Sequence, residues 1–262
     1  MTPNQTHTLS LGPVETLLRL RLEQVKALFW VLLDPDSQPQ NQLINTALQA
    51  QEAGADALLL GGSFIGGPQF GEVAAQLRKA LSIPVILFPG NASQVVSGPQ
   101  AILFTSLLSG RNPQYLIEEQ VRGAVLVKSY QIESLPTAYI LIESGKTTAV
   151  EYISQTKPIP AHKPALSAVH ALAAQHMGMR WVYLEAGSGA QNPVPVPVVK
   201  AVCQYTQNLI IVGGGIRSPQ EAHERVSAGA HVIVVGNHME NSDNLHHLKD
   251  FAHVIHTGTS VP

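Results

Sequence analysis

The residues able to do chemistry in this 262-residue chain fall where short apolar runs stop. The run from Ala27 to Leu33 stops on Asp34-Pro35-Asp36, and the run from Trp181 stops on Glu185, ahead of Ala186-Gly187-Ser188-Gly189. Carboxylates are hard oxygen donors for a divalent cation and acceptors for a substrate proton. Two further runs stop on glycine: Ile210-Ile211-Val212 feeds Gly213-Gly214-Gly215, and Val232 to Val235 feeds Gly236-Asn237. Glycine lets backbone N–H groups approach an anion closely, and a helix opening just beyond, as Ser218-Pro219 predicts, adds its positive dipole end. Ala57 to Leu60 ends in Gly61-Gly62-Ser63, whose hydroxyl could join Asp34 around Mg²⁺. Acidic groups (Asp34, Glu143, Glu185) thus collect on one side and anion-binding glycines on the other. That division suits a divalent metal facing a phosphate. Asp36 reads as a helix cap, and Arg217 as either a phosphate contact or an exposed residue at a helix start.

Such residues must be held by a frame that brings many strand ends together. Apolar runs at 27–33, 57–60, 84–88, 101–106, 138–143, 181–185, 210–212 and 232–235 alternate with helical patterns at about 39–52, 70–81, 113–127, 164–177, 196–205 and 243–256. Continuous apolar strands between helices are buried on both faces and parallel. Ala53-Gly54-Ala55-Asp56-Ala57-Leu58-Leu59-Leu60-Gly61 is echoed by Ala228-Gly229-Ala230-His231-Val232-Ile233-Val234-Val235-Gly236, one αβ unit repeated. We therefore expect an α/β fold, a (β/α)8 TIM barrel, with an open doubly wound sheet as the lesser alternative. The third unit should be modified, because Asn91 to Gly98 is too short for a good helix. An amphipathic pattern over 14–26 predicts a short N-terminal helical extension to a single domain spanning 1–262. The polar stretch 144–162 reads as a lid or flap. In a barrel, the active site lies at the C-terminal strand ends, and a phosphate site follows strands 7 and 8.

Composition excludes several classes. A net charge of -2 leaves no electrostatic footprint for nucleic acid. Charged residues make up 13%, about half the usual share, which suggests surface covered by a partner subunit or an apolar ligand. No apolar run is long enough to span a bilayer, and Met1 to Leu11 does not read as an export signal, so a cytoplasmic protein is expected. Cys203 has no intramolecular partner and reads as a structural thiol. His246, Asp250 and His253 share a helix face, but it is the solvated one, so zinc is not expected there.

These motifs together resemble the geranylgeranylglyceryl phosphate synthase family over nearly the whole chain. Leu33-Asp34-Pro35-Asp36, Gly61-Gly62-Ser63, Tyr183-Leu184-Glu185-Ala186-Gly187-Ser188-Gly189, Val212 to Arg217 and Val235-Gly236-Asn237 carry the resemblance, the Tyr183 segment most specifically. It implies a prenyltransferase that moves a geranylgeranyl group from geranylgeranyl diphosphate to the 3-hydroxyl of sn-glycerol 1-phosphate, the first ether bond of archaeal-type lipids. It further implies Mg²⁺ on Asp34 and Ser63, and glycerol 1-phosphate on Tyr183, Leu184, Glu185, Ala186, Gly187, Ser188, Gly189, Gly214, Gly215, Gly236 and Asn237. Glu185 and Tyr183 would be the catalytic pair. Leu87, Phe88, Ile102, Phe104, Leu107 and Leu108 supply candidate lining for a prenyl groove. A homo-oligomer, dimer or hexamer, with peripheral membrane association is expected. Leu32 stands where the heptaprenyl-using branch has Lys, and Ser37 where relatives commonly have Lys.

Three other readings compete. The donor could be heptaprenyl diphosphate. The barrel could be a phosphate-binding isomerase or lyase of histidine or tryptophan biosynthesis, which would need an acid/base pair and no metal. Outside enzymes, a silent phosphate-binding assembly protein is conceivable, but Asp34, Ser63 and Glu185 all at strand ends argue against it.

Overall fold

A computed structural model describes residues 11–37, 39–62, 70–236 and 247–260. Eight parallel strands close on themselves in sequence order: β1 Leu28–Leu33, β2 Ala57–Leu60, β3 Val85–Leu87, β4 Ala101–Leu107, β5 Glu133–Leu141, β6 Trp181–Glu185, β7 Leu209–Gly213 and β8 Val232–Val235. Closure is made by β1 on β8, with Trp30 opposite Val234. The expected (β/α)8 barrel is the observed one, and closure removes the open-sheet alternative.

Around the strands lie α1 Pro13–Leu22, α2 Gln40–Glu52, α3 Phe70–Ala80, α4 Glu119–Ser129, α5 Ala149–Ser154, α6 Pro164–His176, α7 Val196–Tyr205, α8 Pro219–Ser227 and α9 Leu248–Thr257. Period-2 alternation splits the strand residues between two cores. Leu28, Trp30, Leu59, Ile86, Leu103, Leu135, Trp181, Tyr183, Ile211 and Val234 fill the lumen, where Trp30 and Trp181 pack at 5.8 Å. Their neighbours in sequence, such as Phe29, Leu58, Val182 and Ile233, pack against the helices.

Helix α1 closes the lower, N-terminal end of the barrel with Val14 and Leu18. The Glu133 carboxylate accepts from the Val14 and Glu15 amides at 2.6 and 2.9 Å, capping the helix from another element. Glu15 is buried and pairs with Arg180 at 2.6 Å and Arg19 at 2.8 Å. Nearby, Asp56 accepts from Arg21, from the Phe29 amide and from His256, each at 2.8 Å. These pairs tie the lower end together, away from the strand ends that carry chemistry.

Four details differ from expectation. Strand β5 begins at Glu133 rather than near 138. Pro136 is tolerated within it because β6 begins opposite Thr137, so the missing N–H removes no ladder bond, while the Pro136 carbonyl accepts from the Arg180 amide. The polar stretch after β5 is not a bare flap: it carries α5 and a parallel bridge from Ile159 to Ile142. Asp36 is exposed and caps no described helix; its amide instead donates to Asp34 Oδ1 at 2.9 Å, and α2 starts behind Pro39 without a side-chain cap. The N-terminal helix stops at Leu22, short of 26. In the third unit, β3 and β4 are joined through a single 3-10 turn, Ala92–Gln94, as the short connection predicted.

Candidate active site

A cavity of about 530 Å³ opens at the C-terminal ends of the strands. Its charged lining residues are Asp34, Glu119, Glu185 and Arg217. Inward-facing strand positions build its floor. The series Trp181, Tyr183, Glu185 climbs β6 toward the mouth, so Glu185 is the first polar residue above an apolar lumen. It lies opposite Gly213 of β7. A Cβ on Gly213 would sit 2.4 Å from the Tyr183 hydroxyl, and one on Gly214 would sit 2.1 Å from Glu185 Oε1. The glycines after β7 therefore make room for this pair.

Glu185 is 5% exposed, and its Oε1 accepts from the Gly187 amide at 2.6 Å. Burial pushes its carboxyl up from 4.5 to about 7, although the Gly187 hydrogen bond pulls the other way. A carboxyl poised near neutrality exchanges protons readily. The Tyr183 hydroxyl beside it is buried without a well-formed hydrogen bond. Burial, followed by the Glu185 charge, holds that phenol well above 10, so it keeps its proton and remains a donor. Tyr139, opposite Tyr183 in register, is raised by the same two causes. Phe88 packs on Tyr183 at 5.1 Å and on Tyr139 at 6.1 Å, giving the floor three aromatic rings.

The glycine turns border the same space. Gly214 and Gly215 adopt φ of +79° and +73°, a left-handed conformation that a side chain would strain. Gly189, with φ of +65°, and Ser188, from the adjacent loop after β6, line the same cavity. Helix α8 starts just beyond, behind a capping box in which Ser218 and Glu221 bond reciprocally. Glycine turns of this kind, whose backbone no side chain shields, are what a bound anion needs for close approach.

Asp34 lines the cavity from β1, and Gly62 leaves space beside it, since a Cβ there would lie 2.7 Å from Oδ1. Among the described residues no cluster of three or more His, Cys, Asp or Glu could hold a metal. Of the residues expected in the site, Tyr183, Glu185, Ser188, Gly189, Gly214, Gly215, Gly236 and Asp34 border the cavity. Leu184 and Ala186 do not: both are packed in the helix-facing core. Gly187 contributes its amide to Glu185 rather than to the open space. Ser63, Asn237 and His246 lie outside the described residues. Glu143 is exposed and accepts from the Ala161 amide at 3.3 Å, so it serves the insertion and not the cavity.

On the side away from the glycine turns the wall is apolar. Phe88, Ile102, Phe104 and Leu107 line it, whereas Leu87 and Leu108 sit in the core. Ile102 and Phe104 belong to the helix-facing layer, and they can face a cavity only because the third unit lacks its helix. Gly123 and Gln120 of α4 and Val150 and Ile153 of α5 enclose the groove from outside. Tyr139 and α5 were missed from sequence; parity along β5, once its start is known, would have found the former. Cys203 is half-buried on α7, its thiol pushed up to about 11 by burial, and it is not among the residues lining the cavity.

Comparison with known proteins places these features in context. A family model described as the PcrB family matches residues 20–255. The geranylgeranylglyceryl phosphate synthase of Korarchaeum cryptofilum is 44% identical over 215 residues, covering 82% of this chain and 88% of the relative. That of Thermococcus kodakarensis is 43% identical over 238 residues, covering 90% and 93%. Among solved structures, (S)-3-O-geranylgeranylglyceryl phosphate synthase from Thermoplasma acidophilum in complex with its substrate sn-glycerol-1-phosphate superposes with a TM-score of 0.87. It is 32% identical, and the match covers 94% of this chain and 99% of that one.

Proposed function

The chain belongs to the PcrB family, and from that premise we propose that it is a geranylgeranylglyceryl phosphate synthase, joining a geranylgeranyl group to the 3-hydroxyl of sn-glycerol 1-phosphate. The observation that carries this reading is the juxtaposition, in one cavity, of a buried neutral-range carboxyl, two glycine turns and an apolar groove. An isomerase or lyase of small phosphorylated sugars would have no use for the groove. The relatives of like sequence carry the same activity in their names.

The glycerol phosphate would sit with its phosphate against the amides of Ser188, Gly189, Gly214 and Gly215, with Gly236 and Asn237 completing the cup. That places its 3-hydroxyl over Glu185 and Tyr183. The prenyl chain would lie along Phe88, Ile102 and Phe104, with its diphosphate toward Asp34. A hard carboxylate oxygen at the cavity edge fits Mg²⁺, which takes one or two carboxylates and leaves its other positions to water and phosphate. Asp34 would hold it with Ser63, and when bound it neutralises the charge of the departing diphosphate.

The chain's own residues supply the rest. The apolar groove excludes water, so the allylic C–O bond breaks without hydrolysis competing. The glycerol oxygen forms the new ether bond to the allylic carbon, and its proton passes to Glu185. The Tyr183 phenol, protonated throughout, donates to the glycerol oxygen and fixes its direction. Diphosphate is the leaving group, and Glu185 returns its proton to solvent on product release.

We take the protein to be a single cytoplasmic domain acting at the membrane surface as a homo-oligomer. Exposed Ile117, Val121 and Val125, spaced one helical turn apart, support a covered face. Among the described residues no helix is long and apolar enough to cross a membrane. The test is incubation with Mg²⁺, labelled sn-glycerol 1-phosphate and farnesyl, geranylgeranyl or heptaprenyl diphosphate. Label entering a geranylgeranyl ether, and none entering from sn-glycerol 3-phosphate, is expected. Preference for heptaprenyl would keep the reaction and change the donor. Absence of transfer from every donor would overturn the reading.

A further inference from the structure

Arg217 lines the cavity beside the glycine turn after β7, where a direct bond to the substrate phosphate would be the simplest role. Both of its terminal nitrogens are engaged by backbone carbonyls. Nη1 donates to the Gln191 carbonyl at 3.1 Å and to the Gly215 carbonyl at 3.4 Å, and Nη2 donates to the Ala190 carbonyl. Its own amide donates to Glu221 Oε2 at 2.6 Å, within the capping box of α8. The residue is therefore fixed at both ends, with its fork spread over two loops.

We infer that Arg217 is a positioning residue: its guanidinium clasps the loop after β6 to the glycine turn after β7, and so holds the phosphate cup and the Glu185 carboxylate in register. The inference rests on the reaction proposed above. A loop containing Gly187 and Gly189, with φ of +98° and +65°, has little side-chain material to order it, and glycine loses more freedom on ordering than any other residue. Within the loop the Ala190 amide bonds back to the Gly187 carbonyl at 3.1 Å, and the Asn192 amide is tethered to the Ser144 carbonyl at 3.0 Å. Ala190 and Gln191 lie between those two anchors, and the guanidinium holds their carbonyls. The first amide of the same loop, Gly187, donates to Glu185 at 2.6 Å, so slack in the loop reaches the carboxylate directly. The planar fork reaches three carbonyls from two nitrogens set apart in fixed geometry, a spread that the single nitrogen of an ammonium does not match.

The experiment compares wild type, Arg217→Ala and Arg217→Lys. It reads amide hydrogen exchange across residues 186–192, binding of sn-glycerol 1-phosphate by calorimetry, and steady-state kinetics. Both variants are expected to speed exchange in that loop and to weaken glycerol phosphate binding about tenfold, as for the loss of a charge-assisted hydrogen bond. The KM for the prenyl diphosphate should stay unchanged. The acid limb of the pH profile should move to higher pH as the Gly187 bond loosens, with Tyr183 and Tyr139, the other titrating groups facing Glu185, unaltered. Full recovery by Arg217→Lys would overturn the inference, because a direct phosphate ligand needs only the charge. Unchanged loop exchange in Arg217→Ala would overturn it equally. If Arg217→Ala does not fold, Arg217→Lys, which keeps the stem and the charge, decides alone. Loop exchange and binding need no turnover, so a wild-type enzyme inactive with every prenyl donor refutes the proposed reaction and leaves the clasp to be judged on those two readouts.

Discussion

Replacing Glu185 with Gln separates what the carboxyl does for catalysis from what it costs the fold. The side chain is 5% exposed, and burial raises its carboxyl from 4.5 to about 7. For an acid raised in the native state, the sign runs one way. Below 4.5 both native and unfolded chains hold the proton, and the native state keeps its full advantage. As pH rises toward 7 the unfolded chain ionises first, and stability falls by about 1.4 kcal/mol per pH unit. Above about 7 the loss is complete, on the order of 3 kcal/mol. Gln is nearly isosteric, never ionises, and its carbonyl can still accept from the Gly187 amide.

Glu185→Gln should therefore unfold at the same urea concentration as wild type near pH 4.5, and at a clearly higher one near pH 8, by an amount on the order of 3 kcal/mol. Its turnover should fall by about 10²- to 10⁴-fold, the usual contribution of a positioned general base. The wild-type rate at limiting glycerol phosphate should show an acid limb near pH 7. Urea titrations at three pH values, paired with a pH–rate profile, make the assay. A variant no more stable than wild type at about pH 8, together with an acid limb near 4.5, would refute the reasoning: the carboxylate would then be solvated and its burial only apparent.

Three further outcomes follow from the geometry. Asp34→Asn should abolish turnover and its dependence on added Mg²⁺ while leaving the circular dichroism spectrum unchanged; retained activity would remove Asp34 from the metal site. Gly214→Ala places a methyl 2.1 Å from Glu185 Oε1 at a φ of +79°, and should cost about 1–3 kcal/mol of stability, measured by urea midpoint, along with most glycerol phosphate affinity. Burial opposes ionisation of Asp56, but its hydrogen bonds to His256, Arg21 and the Phe29 amide prevail and hold its carboxyl below 3.8. Its contribution is present above that value and lost as pH falls through the lower native one, so Asp56→Asn should destabilise at neutral pH and flatten the acid limb of the stability curve.

How much of this was legible in sequence depended on parity. Inward positions along the strands run Leu28-Trp30-Leu32-Asp34, Ala57-Leu59-Gly61, Leu135-Thr137-Tyr139, Trp181-Tyr183-Glu185 and Val232-Val234-Gly236. Asp34 and Glu185 were readable because each is the first acidic residue in its series after an apolar lumen, at a run's end that composition alone marks. Tyr139 was not, because Glu133, Ser134 and Pro136 disguised the start of β5 and with it the phase of the strand. Arg217 could be placed at a helix start, but its carbonyl partners lie 26 and 27 residues away on another loop, a distance no local pattern encodes.

The prenyl groove was anticipated on strands 3 and 4, but not what opens it, and that cause joins fold to function. By parity Ile102 and Phe104 point outward, toward where a third-unit helix would cover them. The connection from Leu87 to Ala101 holds only the short turn at Ala92–Gln94, so those residues face a cavity enclosed by α4 and α5 instead. The short Asn91 to Gly98 stretch was visible as a defect in the repeat. What sequence could not supply is that removing one covering helix extends the lumen's mouth sideways through the barrel wall, from the aromatic floor at Phe88 and Tyr139 into an apolar trough. A barrel with eight intact units has room at its mouth for a small phosphate ester. One lacking that helix also has room for a long hydrocarbon beside it, and Glu185 stands where the two spaces meet.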